Sequence, residues 1–354
     1  PDERSGHRIV VTDANLYSIG GYNPNFWDEH NDETTYYPLF RELWKFNFAT
    51  RLWTQLETQS TMPYELASHT VVLDRCNMLM FGGTAIPFGE SNSNDLNVCN
   101  LSTASWKLYT CYGDLPTKKY GHAMSMQDDL VFVVGGTSGY RYNMDVHQLN
   151  LKTLKWTQLS GKEYKSAHPE SRYRHEIVYR DRELYLIGGG TAIEQYSLDK
   201  IPVFHTVNLK WKELKTKPDP IKGFPAPRKC HSCMKLNNEI YICGGLLDRK
   251  IADDIWKLNL VTIQWTKLSA FLPQPVYFHA ASVTSLGCMY IFGGVSKIDV
   301  ERTNGLYKIW LKIPPLTEMC WQLLCDTIDM KYINSEKLLD MGVPSLFVDR
   351  LSTL

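Results

Sequence analysis

The chain has no excess of charge of either sign: 38 Lys and Arg stand against 38 Asp and Glu in 354 residues. A neutral chain has no global field to draw it to nucleic acid or to an anionic membrane. No apolar run is long enough to cross a bilayer. The nine cysteines are odd in number and irregularly spaced, and Cys99, Cys243 and Cys288 sit inside apolar runs. That argues against a disulfide framework and for a reduced chain of the cytoplasm or nucleus. Catalytic signatures are missing too. Gly188-Gly189-Gly190 is not followed by the pattern of a phosphate loop, and there is no nucleophile elbow and no His-Glu-x-x-His. Cys230-x-x-Cys233 lacks the second pair that a zinc site needs. The reading is therefore a non-enzyme with no catalytic residues, no cofactor and no metal. The first residue is Pro1, not Met, so a fragment is expected, and any targeting segment ahead of it is not legible. The sequon Asn100-Leu101-Ser102 carries no meaning in an intracellular chain.

What the chain has is glycine in pairs. Gly20-Gly21, Gly82-Gly83, Gly135-Gly136, Gly188-Gly189, Gly244-Gly245 and Gly293-Gly294 recur about every 55 residues, each closing a short apolar run. Upstream of each doublet stands one histidine: His7, His69, His122, His175, His231 and His279. Downstream comes a second apolar run, such as Leu43-Trp44-Lys45-Phe46 or Ile255-Trp256-Lys257-Leu258. In five units a tryptophan then opens a fourth: Trp53, Trp106, Trp156, Trp211 and Trp265.

Histidine, strand, Gly-Gly, strand, Trp resembles the kelch repeat. Six units over residues 1–311 imply an all-β, six-bladed kelch β-propeller. Glycine doublets permit positive φ and a sharp turn after a strand, and a tryptophan suits the gap between neighbouring blades. The column histidines are expected to be structural. The third strand usually ends in Asn six residues before Trp (Asn47, Asn150, Asn259); Asn208 is only three before Trp211, which predicts a shortened turn in unit four. Unit six has no Trp strand before Pro314-Pro315, so its blade takes an outer strand from elsewhere or does without.

In such a propeller the loops after the doublets and those entering the His strands share one face. Basic residues fall there in units three to five: Arg141, Arg172, Arg174, Arg228 and Lys229, with Lys118 and Lys119 nearby. Aromatic residues interleave: Tyr120, Tyr140, Tyr142, Tyr173 and Tyr277. The loop of unit one is acidic, with Asp28, Glu29, Asp32 and Glu33. A cationic, aromatic mouth fits an anionic peptide end.

Residues 312–354 change to helical patterning. Leu316, Cys320 and Leu324 share one helix face after Pro315. A second helix is expected from Ser335 to Gly342, and Val343-Pro344-Ser345-Leu346-Phe347 opens a third. Leu-x-x-x-Cys-x-x-x-Leu resembles an elongin-binding BC box, and Val343-Pro344-x-x-Phe347 resembles a cullin-2 box. With Arg172-Tyr173-Arg174-His175 and Tyr277-Phe278-His279, the chain resembles the kelch-domain substrate receptors of cullin-2 ubiquitin ligases. The resemblance implies that Leu316, Cys320 and Leu324 bind elongin B/C and that Val343, Pro344 and Phe347 bind cullin-2. It also implies that the mouth (Arg141, Tyr142, Arg172, Tyr173, Arg174, Arg228, Lys229, Tyr277) grips the C-terminal tails of client proteins. In such receptors arginines after the doublets hold the terminal carboxylate. Here Tyr22, Thr84, Thr137, Gly190, Leu246 and Val295 occupy those places, so Arg141, and Tyr173 and Arg174 beside the His column, are the substitutes. The alternative is a kelch scaffold for a kinase, phosphatase or cytoskeletal partner without a ligase role.

Overall fold

The computed structural model describes residues 1–25, 39–58, 60–161 and 168–351. The acidic stretch Asp28 to Glu33 lies outside the described residues. Six antiparallel sheets are arranged around one axis, and their inner strands neighbour one another in a closed circle, Arg8–Val11 beside both Thr70–Asp74 and Ala280–Val283. Each sheet runs in chain order from inside outward, except that in blade three the earlier segment Tyr112–Gly113 adds a fifth strand, parallel, outside Lys155–Ser160. Blade one is Arg8–Val11, Asn15–Ile19, Leu43–Asn47 and Trp53–Gln55. Blade six stops after Ala280–Val283, Cys288–Phe292 and Leu306–Trp310. Among the described residues it does without an outer strand.

The doublets work as hinges between blades. The second glycine of each donates its N–H to the residue three before the next blade's histidine. Gly21 reaches Leu66 O at 2.9 Å, Gly136 reaches Arg172 O at 3.0 Å, and Gly294 closes the circle on Arg4 O at 2.8 Å. The first glycine meets that same next histidine: a Cβ on Gly135 would lie 2.6 Å from His175 Cε1. Both conserve space that only a missing side chain provides, at φ of +64° and +100° for Gly135 and Gly136. The hydrophobic core is accordingly divided into wedges, one per gap. Trp156 packs against Phe81 of the preceding blade, ring centroids 5.1 Å apart, and Trp53 against Phe292 at 5.0 Å.

The turn after the third strand is not shortened in blade four. His205, six residues before Trp211, takes the asparagine's place: its Nδ1 accepts from Val207 N and Asn208 N, both at 3.2 Å. Asn47 Oδ1 does the same for Ala49 and Thr50. An imidazole nitrogen and an amide oxygen are equivalent acceptors in this turn.

The tail is three short helices: α1 (Leu316–Thr327), α2 (Ser335–Asp340) and α3 (Ser345–Val348). Asn334 caps α2, accepting from Glu336 N at 2.9 Å. Trp321, Met330, Leu338, Phe347, Val348 and Leu351 form a core that closes on Ala49 in blade one's turn. Asn47 Nδ2 donates to Arg350 O at 2.8 Å, and Arg51 pairs with Asp326. A part-buried ion pair, Arg350 to Glu318 at 2.7 Å, ties the end of the tail back to α1.

Candidate functional site: an aromatic cup on the propeller axis

The residue just before each column histidine has positive φ in all six blades: Gly6, Ser68, Gly121, Arg174, Cys230 and Phe278, between 55° and 67°. The left-handed backbone lets each N–H donate to the carbonyl of the same position in the adjacent, preceding blade. Gly6 donates to Phe278, Ser68 to Gly6, Gly121 to Ser68, Arg174 to Gly121, Cys230 to Arg174 and Phe278 to Cys230, at 2.7–3.1 Å. This closed hydrogen-bonded circle is the floor of the mouth. Beneath it Arg8 of blade one reaches Glu176 of blade four at 2.8 Å, three blades away round the ring, and Arg8 Nε donates to His69 O at 3.2 Å. The ion pair bars the axis below the floor.

Above the floor lies a cavity of about 250 Å³ lined by Tyr22, Phe88, Tyr120, Tyr173, Tyr277 and Phe278, with Arg174, Arg302 and Asp299. The Arg174 guanidinium carbon stands 4.5 Å from the Phe278 ring centroid, 5.6 Å from Tyr173 and 5.8 Å from Tyr120. Arg302 stands 5.7 Å from Tyr22. Aromatic faces stabilise a guanidinium without consuming its N–H donors. Arg174 Nε, and Nε and Nη1 of Arg302, are buried with no hydrogen-bond partner among the described residues. Each such donor favours a ligand that accepts from it, because an unmet buried N–H is costly. Burial raises the Tyr173 hydroxyl to about 12, so that ring stays neutral.

Tyr173, Arg174 and Tyr277 are thus brought together in the cup. Others are placed elsewhere. Arg172 and Arg228 are buried in the wall: each donates through Nη1 at 3.1 Å to the first glycine of its own doublet, Gly188 O and Gly244 O. Arg228 also pairs with Asp254 at 2.7 Å, and Arg172 lies over Tyr196 at 4.1 Å. Arg4 repeats the contact with Gly20 O, and Lys119 pairs with Asp145 at 2.7 Å. These four form a column three before the histidine, completed by Leu66 and Val276, so their charge serves the blade rather than a ligand. Lys229 Nζ is held by Thr191 O and Ala192 O. Arg141 is exposed and does not line the cup. Tyr142 stands beside it, ring 5.0 Å from Tyr173 and hydroxyl accepting from Ala192 N. Arg302, Tyr22, Phe88 and Phe278 are not among the expected site residues; Tyr22 carries a signal in its place directly after the first doublet and Phe278 in its place beside the histidine column.

The column histidines are buried and their pKa values lowered by that burial, to about 3 for His69, His175 and His279. They are neutral spacers. Among the described residues no group of three or more His, Cys, Asp or Glu side chains is placed to hold a metal, and no helix is long and apolar enough to cross a membrane. The nine cysteines are free.

In the tail, Leu316 and Cys320 are exposed and Leu324 is half-buried in the tail's core. Pro344 is exposed, Val343 is half-buried, and Phe347 is buried and stacked on Trp321 at 5.3 Å. Phe347 is therefore a core residue of the tail, unlike the exposed position that a docking surface needs.

Six such sheets around an axial cup define a kelch-repeat propeller. The chain matches the KLHDC2/KLHL20/DRC7 kelch-repeats domain over residues 1–189 and 162–324, and it belongs to that family. Kelch domain-containing protein 10 of Rattus norvegicus is 47% identical over 353 residues, covering 99% of this chain and 86% of the relative. The Homo sapiens protein of that name is also 47% identical, with 80% of it covered. The Drosophila melanogaster homolog is 39% identical over 382 residues, covering 99% of this chain and 62% of the relative. The chain is a kelch-repeat propeller of the protein-interaction type, and its matches indicate no enzyme family.

Proposed function

We propose that this protein is a substrate receptor of a cullin-2 ubiquitin ligase, with elongin B/C held by α1 and a client's C-terminal tail held in the cup. One observation carries the ligase half: α1 has two apolar faces. Trp321 is buried on the tail's own core, while Leu316, Met319 and Leu323 are 74%, 41% and 63% exposed and Cys320 is exposed beside them. A helix that folds on one face and leaves a second apolar stripe uncovered is built for a helical partner. Cysteine in that stripe permits close approach. The half-buried Leu324 borders the stripe, and exposed Pro344 and Leu346 are the residues of the third helix's entrance that remain available to cullin-2. In the cup, Arg174 and Arg302 offer unmet donors to a carboxylate, among rings that accept small or apolar side chains. Compartment follows from this reading: the ligase partners act in cytoplasm or nucleus.

The test is co-purification. Wild-type chain is expected to bring down elongin B/C; Leu316→Asp and Cys320→Asp, both on exposed positions, are expected to abolish it without shifting the thermal midpoint. Undiminished capture by both variants would remove the ligase reading and leave an interaction scaffold.

A further inference from the structure

Charge is balanced over the chain but not over blade four. Its outer strand, Lys210–Lys215, carries Lys210, Lys212 and Lys215, and the connection to blade five adds Lys217 and Lys222; all five are exposed. The outer strands of blades one, two, three and five hold at most one lysine each and no arginine. Register makes the excess costly. Lys215 stands directly opposite Lys200 on the third strand, Lys200–His205, and like charges so placed repel. Glu213 answers Lys200 at 3.4 Å, and Glu183 pairs with Lys212. Lys210, Lys215, Lys217 and Lys222 make no ion pair among the described residues.

The connection that follows is a rigid projection. Asp219 Oδ1 accepts from Ile221 N at 2.8 Å and Lys222 N at 2.9 Å, and its Oδ2 accepts from Lys267 N at 3.0 Å on blade five's outer strand. Asp219 N donates to Gly223 O at 2.8 Å, and Pro218 and Pro220 stiffen the chain on either side. The turn therefore holds Ile221 out in solvent, 86% exposed, beside Lys222, with Phe224 40% exposed after it. Apolar side chains fixed in the open among unpaired lysines suit a partner that brings carboxylates and an apolar side chain together. A surface ordered in advance also costs less to bind. Residues 199–227 contain no arginine, the side chain best suited to phosphate and base edges. The surface thus favours an acidic protein segment over a nucleic acid.

We propose that the circumference of blade four, from Lys210 to Phe224, docks an acidic protein segment that carries an apolar residue. Blade four stands three blades from blade one, where the tail is anchored, and the surface lies outside the cup. A partner there leaves cup and tail free, and the proposal holds with or without the ligase reading.

Fluorescence anisotropy tests it with three labelled probes of equal length: a peptide of glutamate with leucine and phenylalanine, a peptide of glutamate and serine, and single-stranded DNA. Both peptides are amidated, so that no terminal carboxylate is offered to the cup. The first peptide is expected to bind tightest and to weaken as salt is added. Combining Lys210→Glu with Lys215→Glu is expected to weaken it about tenfold or more, and Ile221→Ser to erase its advantage over the second peptide. Lys215→Glu alone is expected to raise the thermal midpoint, since repulsion from Lys200 becomes attraction; that readout also shows that the variant folds. No binding of the first peptide, unchanged affinity in the lysine variants, or tighter binding of DNA would overturn the proposal. So would a Lys215→Glu variant that melts below wild type, because the lysines would then be kept for the blade itself.

Discussion

Gly83 shows how much of this fold is set by single atoms. Its φ is +109°, and a Cβ there would lie 2.2 Å from Glu65 O and 2.9 Å from His69 Cβ. Gly223 has φ of +73° but nothing within 4 Å of a Cβ. The two separate strain from collision. Gly223→Ala is expected to cost about 1 kcal/mol through backbone strain alone. Gly83→Ala adds a clash with backbone and is expected to cost about 3 kcal/mol or more. Urea titrations of both measure it, and equal losses would show that the doublet is kept for φ and not for space. The same scale explains a misreading. Arg172 and Arg228 look like mouth residues because they precede the histidine strand in a loop. Their guanidinium groups turn back to Gly188 and Gly244, as that of Arg4 turns to Gly20. The signal was available in the sequence, since Arg4, Lys119, Arg172 and Arg228 share one column, and a column shared by several blades is a structural role. Arg174 stands in a column with Gly6, Ser68, Gly121, Cys230 and Phe278, where no other member is charged; that singularity is what marks it.

At the scale of elements, α1 and α3 illustrate what periodicity can and cannot tell. Spacing put Leu316, Cys320 and Leu324 on one side of a helix, and a helix does run from Leu316 to Thr327. It could not say which side faces the protein, because α1 is apolar on both. Trp321 chose the inner face by stacking with Phe347, and that stack in turn removed Phe347 from the surface. Truncating Phe347 to Ala should open a cavity under Trp321 and cost the tail about 3–5 kcal/mol. The expected signature is rapid proteolysis within residues 316–351 while the propeller's urea midpoint holds. A tail as resistant as wild type would mean that Phe347 contributes nothing to its packing. Blade one's turn is the tail's anchor, through Asn47, Ala49 and Arg51. No pattern within the tail could have pointed to that turn, which is more than 260 residues away in sequence.

For the whole molecule, the closed floor and the Arg8–Glu176 bar make the mouth a blind cup. A ligand must enter and stop, which suits a chain end better than a chain passing through. A terminal carboxylate accepting from Arg174 or Arg302 gains roughly 1.5–3 kcal/mol per charge-assisted bond. Amidating a bound client peptide, or Arg174→Ala, is therefore expected to weaken binding about 10–100-fold. Arg141→Ala, outside the cup, should leave affinity unchanged. Calorimetric titration of free and amidated peptides checks this, and equal affinities would exclude a carboxylate as the recognised group.

The sequence by itself determined the number of blades, the order of their strands and the places where each is hinged to the next. These are local requirements, for missing Cβ atoms, a flat neutral imidazole and a wedge-filling indole, repeated six times. The tertiary structure decided which charges are spent inside the blades and which remain in the cup, and which face of α1 is left uncovered. Those outcomes depend on partners brought from other blades, such as Glu176 to Arg8, Phe278 to Arg174 and Ala49 to the tail's core. No spacing within one repeat specifies a neighbour that only ring closure brings near.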